Sequence, residues 1–323
     1  MEKCVVIIPA LNESQTIGAV IDAVPKRLFD GNVGLEVVVV NDGSTDGTAE
    51  IAKAHGAYVI SHDSPQGVGA SFFEGIREAL KRQADYAVNI DGDGQMNPMD
   101  IEKLLLPIYG GKGDMATASR FMNKDKIPRM PAVKRWGNDR VAEIVSFIVG
   151  KKYYDVSCGF RAYNKEALLR LNLFGKFTYT QETFINLATC GHIKIIEVPI
   201  EIRGVREFGT SRVASSILRY AVRSGSIMLS AFKDYHPVRF FGGLSLISFL
   251  IGVVFESIMV VHYIRIGAFR DYLWAGLIGA FMAMAAMIFL ILMVVSDSLR
   301  KMRRTEEEIL YLNKFDVYYK KEE

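Results

Sequence analysis

A chain of 323 residues is long enough for a sizeable core and more than one structural unit. Its formal net charge of +3 is ordinary, and no nucleic-acid recognition motif is present, which leaves no support for a nucleic-acid binder. Cys4, Cys158 and Cys190 are odd in number and lack metal-ligand spacing, so they read as free thiols in a reducing compartment rather than a disulfide framework.

The chain opens on an apolar run, Cys4 to Ile8, that ends in the polar segment Pro9-Ala10-Leu11-Asn12-Glu13. Ser14 to Val24 follows with a helix-start residue and apolar positions at Ile17, Val20, Ile21 and Val24, the pattern of a crossover helix. A second run, Leu35 to Val40, closes on Asn41-Asp42-Gly43-Ser44-Thr45-Asp46-Gly47-Thr48. Near-continuous Val and Ile of this kind suit parallel strands buried on both faces. A third, Tyr86-Ala87-Val88, leads into Asn89-Ile90-Asp91-Gly92-Asp93-Gly94-Gln95. Three strands thus place polar residues at their carboxyl ends, where open α/β sheets bind ligands. An Asp-x-Asp pair at such a position supplies the hard oxygens that Mg²⁺ or Mn²⁺ takes beside substrate phosphates, although Asp-Gly-Asp-Gly also suits a plain turn.

These three segments together resemble family 2 glycosyltransferases of the GT-A fold, and within them the polyprenyl-phosphate glycosyltransferases. Ala118-Ser119-Arg120-Phe121, Ser157-Cys158-Gly159-Phe160-Arg161, and Glu197-Val198-Pro199 followed by Arg206 and Gly209-Thr210-Ser211-Arg212 extend the resemblance over most of the chain. It implies an α/β, Rossmann-like nucleotide-sugar-binding domain over residues 1–213. It also implies that Pro9, Ala10, Asn12, Glu13, Asn41 and Asp42 surround the nucleoside, with Asp91 and Gly92 between ribose and metal and a minor role for Gly69. Asp91, Asp93 and Gln95 become the metal set. Val68 departs from the pattern, because many members carry a lysine there; a basic donor contact is therefore not expected at that position. The five histidines show no metal spacing and read as structural.

Residues 121–139, with Lys134 and Arg135, read as a charged loop. Residues 214–239 alternate apolar positions such as Met228 and Phe232 with Arg219, Arg223 and Ser230, the pattern of an amphipathic interfacial helix. Residues 240–264 and 272–295 are each about 24 residues of nearly uncharged sequence, enough at ~1.5 Å per residue to cross a hydrocarbon core of about 30 Å. They lie too late in the chain for a signal peptide. Glu256 is the acid in the first; Gly276, Gly279, Ala280 and Ala283 in the second favour close helix packing within the hairpin or in a homo-oligomer. Lys233 and Arg239 before the hairpin, and Arg300, Lys301, Arg303 and Arg304 after it, predict a cytosolic catalytic domain and cytosolic termini at the cell or endoplasmic-reticulum membrane. The tail, 296–323, reads as a short cytosolic helix without catalytic duty.

The expected chemistry is inverting transfer of a hexose-type sugar from a UDP- or GDP-linked donor to a polyprenyl (dolichyl or undecaprenyl) phosphate. Asp93, Arg120 and Arg206 are the catalytic candidates. Mg²⁺ or Mn²⁺ would act as Lewis acid, Arg206 would clamp the diphosphate, and Arg120, Lys134 and Arg135 would hold the acceptor phosphate. A phosphate monoester is already anionic near neutral pH, so Glu182 is expected to orient rather than to act as a base. Transfer to a lipid or glycan hydroxyl is the alternative, and a non-enzymatic nucleotide-sugar-binding scaffold a further one. A processive polysaccharide synthase fits poorly: two spans give little channel, and Lys134-Arg135-Trp136 does not supply a Gln-x-x-Arg-Trp motif.

Overall fold

The computed structural model describes residues 1–123, 127–128, 130–172, 179–189, 193–204 and 217–320, with the backbone alone at 217–224 and 227. Among the described residues, eight strands form one mixed sheet: β1 (Glu2–Ala10), β2 (Arg27–Leu28), β3 (Val33–Asn41), β4 (Tyr58–Ser61), β5 (Tyr86–Asn89), β6 (Met115–Ser119), β7 (Arg161–Asn164) and β8 (Ile195–Pro199). The order is β2-β3-β1-β5-β7-β6-β8, with β4 also on β3. β1 runs parallel to both β3 and β5, and β7 is antiparallel to β5 and β6. Residues Cys4–Ile8 and Val38–Val40 are wholly buried, as expected of strands covered on both faces.

The parallel register brings the ends of β1, β3 and β5 together. Ala10 pairs with Asn41, and Ile7 with Asn89, so Leu11, Asp42 and Ile90 begin three neighbouring loops. The first crossover helix, α1, spans only Ile17–Asp22 because Thr16 is its N-cap; Ser14 lies in the preceding loop. α2 (Thr48–Ala54) and α3 (Val68–Lys81) follow β3 and β4, and α4 (Ile101–Tyr109) follows β5. One layer of the core joins Ile17, Val20 and Ile21 of α1 and Leu104, Leu105 and Ile108 of α4 to Val6 and Ile8 of β1, on one face of the sheet. On α3, Phe72 and Ile76 are buried, and a Cβ on Gly75 would collide with the Ile7 side chain, so α3 sits directly on β1.

The segment expected as a charged loop is helical in its second half. α5 (Ala132–Val149) carries Lys134 and Arg135 in its first turn. Pro131 immediately precedes it, and Gly150 closes it in a left-handed conformation, the usual pair of boundary residues. Val133, Trp136, Ile144 and Phe147 recur at helical spacing and are exposed. α6 (Lys165–Arg170) and α7 (Thr180–Thr189) complete this part.

Beyond it lie α8 (Ile217–Tyr235), α9 (Pro237–Ile266) and α10 (Leu273–Tyr319). Two stretches, Pro237–Ile266 and Arg270–Tyr319, contain windows long and apolar enough to cross a membrane. Residues 226–306 form one compact unit; 1–225 and 307–323 form the other. Within the first, α9 and α10 approach at small residues: a Cβ on Gly252 would lie 3.1 Å from the Gly279 carbonyl, and one on Gly279 2.7 Å from Cγ of Glu256. Ser245 Oγ donates to the Ala286 carbonyl at 2.8 Å.

The tail is more than a solvated helix. It continues α10 and packs on the sheet domain through Arg170–Glu308 (2.9 Å), Tyr311 Oη to Glu166 (2.8 Å) and Tyr319 Oη to the Ala84 carbonyl (2.7 Å). Lys314 Nζ donates to the carbonyls of Leu169 and Leu171 and to Asn172 Oδ1, capping the C-terminal end of α6. Burial, and then the charge of Arg77, lower its pKa to about 8.

Candidate active site

The loops after β1 and β3 are knitted together by their own polar side chains. Asn12, at φ +51°, accepts from Thr45 N with Oδ1 (2.8 Å), and its N–H donates to Ser44 Oγ (2.9 Å). Glu13 N donates to Thr48 Oγ1 (2.9 Å), and Ser14 N to Asp46 Oδ2 (3.2 Å). Asn41 accepts from Ser44 N (3.1 Å) and donates to Ser61 Oγ (3.2 Å). Gly43 has φ +72°, and a Cβ there would collide with Ser64 and Pro65 at 2.8 Å, so this loop needs a glycine on both counts.

Asp42 is nearly inaccessible and organises the next turn. Its Oδ1 accepts from His62 Nδ1 (2.9 Å) and Gln66 N (2.8 Å), and its Oδ2 from Gly67 N (2.8 Å). Burial alone would raise its pKa, but these hydrogen bonds and the charge of His62 outweigh it and hold the carboxyl below its usual range. His62 therefore borders the candidate site as a structural partner of Asp42, in keeping with the absence of metal-ligand spacing among the histidines. The signal that finds it is topological: β3 and β4 pair in parallel with Asn41 opposite Ser61, which sets residues 42 and 62 side by side. Gly67 has φ +101°, and Gly69 is buried in the first turn of α3.

The Asp-x-Asp turn is fixed from three sides. Thr16 Oγ1 donates to the Gly92 carbonyl (2.7 Å), binding the turn to the start of α1. Gly92 is packed against Ile17 and Ile8, where a Cβ would lie 3.3–3.4 Å from their methyls. Asp93 is almost fully buried, and its Oδ1 accepts from Gln95 N (3.0 Å). Gln95 and Arg203 clasp each other: Nε2 of Gln95 donates to the Arg203 carbonyl (2.8 Å), and Arg203 N to the Gln95 carbonyl (3.0 Å). Because that carbonyl only accepts, the amide nitrogen of Gln95 faces it and Oε1 is the amide's remaining acceptor. Asp91, Asp93 and this Oε1 are hard oxygen donors suited to Mg²⁺ or Mn²⁺. Among the described residues no group of three or more His, Cys, Asp or Glu gathers as a self-sufficient metal cage. A pair of carboxylates with substrate oxygens completing the shell is the arrangement these cations use with phosphates.

Arg120, at the exit of β6, is paired with a buried acid. Its Nε and Nη2 donate to Asp155 at 2.7 and 2.9 Å, and its N–H adds a third bond at 3.1 Å. Asp155 is 1% exposed. Its N–H in turn donates to Glu197 (2.8 Å), whose carboxyl is raised by burial against the N–H groups of Tyr154 and Asp155. Arg120 thus has a structural partner that its motif did not disclose. Ser119, Arg120 and Asn123 line a cleft of about 120 Å³ with Lys103 and Glu201. A larger cavity of about 730 Å³ runs from Gln15 and Thr16 past Gly94 and Gln95 to Lys103, Glu201 and Arg203. Sequence reasoning passed over Lys103, Glu201 and Arg203, which sit in no motif. Pro9 and Ala10 end β1, Glu182 lies in the first turn of α7, and Lys134 and Arg135 are exposed on α5. Arg206 and the segment 209–212 lie outside the described residues.

A mixed sheet with polar loops after β1 and β3 and an Asp-x-Asp turn after β5 is the architecture of a GT-A-like glycosyltransferase domain. The chain belongs to glycosyl transferase family 2, whose model matches residues 5–171. It is 31% identical over 215 residues to a UDP-N-acetylglucosamine–dolichyl-phosphate N-acetylglucosaminyltransferase of Methanococcus voltae, covering 60% of this chain and 83% of that one. It is 28% identical to a polyprenol monophosphomannose synthase of Mycolicibacterium smegmatis, over 68% and 84% of the two chains. In fold it is similar to the glucosyl-3-phosphoglycerate synthase of Mycobacterium tuberculosis, crystallised with Mn²⁺, UDP-glucose and phosphoglyceric acid. The TM-score is 0.55 at 23% identity, over 72% of this chain and 80% of that one.

Proposed function

We propose that this protein transfers a hexose-type sugar from a nucleoside diphosphate donor to a polyprenyl phosphate at a membrane surface, with inversion at the anomeric carbon. The observation that carries the reading is the coincidence, in one chain, of the buried Asp-x-Asp turn and two apolar helices, in a sequence akin to transferases named for lipid-phosphate acceptors. Asn12, Asn41 and Asp42 shape the nucleoside end, where the loops of β1 and β3 are knitted together. Asp91, Asp93 and Gln95 would hold Mg²⁺ or Mn²⁺, which supplies Lewis-acid stabilisation to a diphosphate leaving group. Arg206 is assigned to the same diphosphate. Arg120, Lys134 and Arg135 are assigned to the acceptor phosphate, which arrives already anionic and needs positioning rather than a base.

Membrane attachment fits this acceptor. The exposed Trp136 on α5, beside Lys134 and Arg135, and the exposed Phe147 about three turns further along the helix suit an anionic lipid surface. Basic residues at both ends of the hairpin favour a cytosolic catalytic domain. The test is transfer from radiolabelled UDP- and GDP-sugars to polyprenyl phosphate by the purified full chain, with and without chelator. Label entering lipid only when a divalent cation is present supports the proposal; transfer undiminished by chelator contradicts its metal half, and no transfer from any donor contradicts the whole.

A further inference from the structure

The underside of the Asp-x-Asp turn is a polar layer that no motif announces. Asn89, the last residue of β5 and two before Asp91, is fully buried. Its Nδ2 donates to both the Gly159 carbonyl (2.9 Å) and the hydroxyl of Tyr179 (2.8 Å). The Tyr179 ring is stacked on Phe72 of α3, with centroids 4.2 Å apart and planes at 15°, so its hydroxyl is fixed in place. Tyr179 leads directly into α7, which is pinned from below: Arg161 donates to the Thr180 carbonyl (2.7 Å) and the Val156 carbonyl (2.9 Å). This guanidinium is wholly buried and lies over the ring of Phe184.

Gly159 reveals what lies above that hydroxyl. A Cβ on Gly159 would stand 2.8 Å from Tyr179 Oη and 3.3 and 3.4 Å from the two carboxylate oxygens of Asp91. The phenol and the carboxylate therefore border the same small space, which only glycine leaves open. Asn89 donates to the phenol oxygen, so the phenol's own proton points to another acceptor, and the Asp91 carboxylate borders the space onto which this hydroxyl opens.

From this geometry we infer that Tyr179 is a positioning residue for Asp91: its hydroxyl, oriented by Asn89, holds the Asp91 carboxylate in the attitude that receives the divalent cation. The inference rests on the proposed metal role of Asp91. It also explains why Tyr179, Gly159 and Asn89, distant in sequence, converge under one turn. Orientation of a ligating carboxylate by an outer hydrogen bond commonly changes metal affinity by about 10–100-fold.

The experiment titrates Mn²⁺ into the full-length protein in detergent with UDP present, reading free Mn²⁺ by electron paramagnetic resonance, alongside thermal unfolding. Tyr179→Phe keeps the ring on Phe72 and removes only the hydroxyl; Gly159→Ala inserts a methyl between hydroxyl and carboxylate. Both should weaken Mn²⁺ binding by about tenfold or more, with UDP binding in chelator unchanged and, for Tyr179→Phe, little change in unfolding temperature. Should Tyr179→Phe fail to fold, Gly159→Ala decides. Wild-type Mn²⁺ affinity in a folded variant would overturn the role of Tyr179 while leaving the proposed function intact. Failure of the wild-type protein to bind Mn²⁺ in the presence of UDP would instead overturn the metal site itself.

Discussion

Arg120 is the residue at which stability and chemistry can be pulled apart. Arg120→Ala removes two side-chain hydrogen bonds of 2.7 and 2.9 Å from Asp155, leaving that buried carboxylate with the N–H groups of Arg120 and Ser157. Breaking a buried pair on one side costs about 3–5 kcal/mol. A fifth of the Arg120 side chain remains in solvent, which screens part of this, so about 2–3 kcal/mol is expected. For a domain of this size that corresponds to a fall in Tm of roughly 5–10 °C. The loss of activity in Arg120→Ala would therefore mix two causes. Replacing both partners, Arg120→Met with Asp155→Leu, removes the buried charge as well as its counterion and should restore most of the Tm. Transfer to polyprenyl phosphate should stay abolished in the double variant, with UDP binding intact. Thermal unfolding and a radiolabel transfer assay on the same samples provide both readouts. An Arg120→Ala protein unfolding at the wild-type temperature would refute the buried-pair reasoning, and a double variant with wild-type transfer would refute the acceptor role.

Asp93→Asn should keep fold and membrane attachment and lose transfer by several orders of magnitude, since each ~1.4 kcal/mol of lost transition-state stabilisation is tenfold in rate; steady-state kinetics on purified protein check it. Because the folded pKa of Asp42 lies below its ordinary value of 3.8, its contribution is fully present above that value and is lost as pH falls through the folded one. The stability gap between wild type and Asp42→Asn should accordingly shrink below about pH 4, read by thermal unfolding across pH. Lys314→Ala should loosen the tail by about 1.5 kcal/mol, the scale of a charge-assisted hydrogen bond, and speed amide exchange over 307–319 roughly tenfold.

The sheet's central strands were legible because Cys4–Ile8 and Val37–Val40 carry the continuous apolar runs of two-sided burial, and each ends in residues of recognisable chemistry. The two apolar helices were legible from length and composition alone. The antiparallel insertion of β7 between β5 and β6 was not, since Arg161-Ala162-Tyr163-Asn164 has no run long enough to announce a strand. The first part of α5, as far as Asp139, was read as a loop because Lys134, Arg135, Asn138 and Asp139 mask a helix whose boundaries are set by Pro131 and Gly150. At the site, Asp42, Asp91, Asp93 and Arg120 stood out by motif, but their partners did not. His62 meets Asp42 across 20 positions of sequence and Asp155 meets Arg120 across 35, while Tyr179 meets Asn89, beneath the turn, across 90. Such pairings depend on register and topology, and no local pattern encodes them. The tail was judged by its charges, whereas Lys314 and Tyr319 act through backbone carbonyls that only the folded domain presents.

The most direct test of the proposed acceptor compares polyprenyl phosphate with the matching unphosphorylated polyprenol, each offered to wild type and Glu182→Gln in detergent with the same nucleotide sugar. A phosphate acceptor predicts that transfer requires the phosphorylated lipid and that Glu182→Gln slows it only modestly. Efficient transfer to the free alcohol, abolished by Glu182→Gln, would contradict the phosphate acceptor and identify this protein as a hydroxyl transferase with Glu182 as its base.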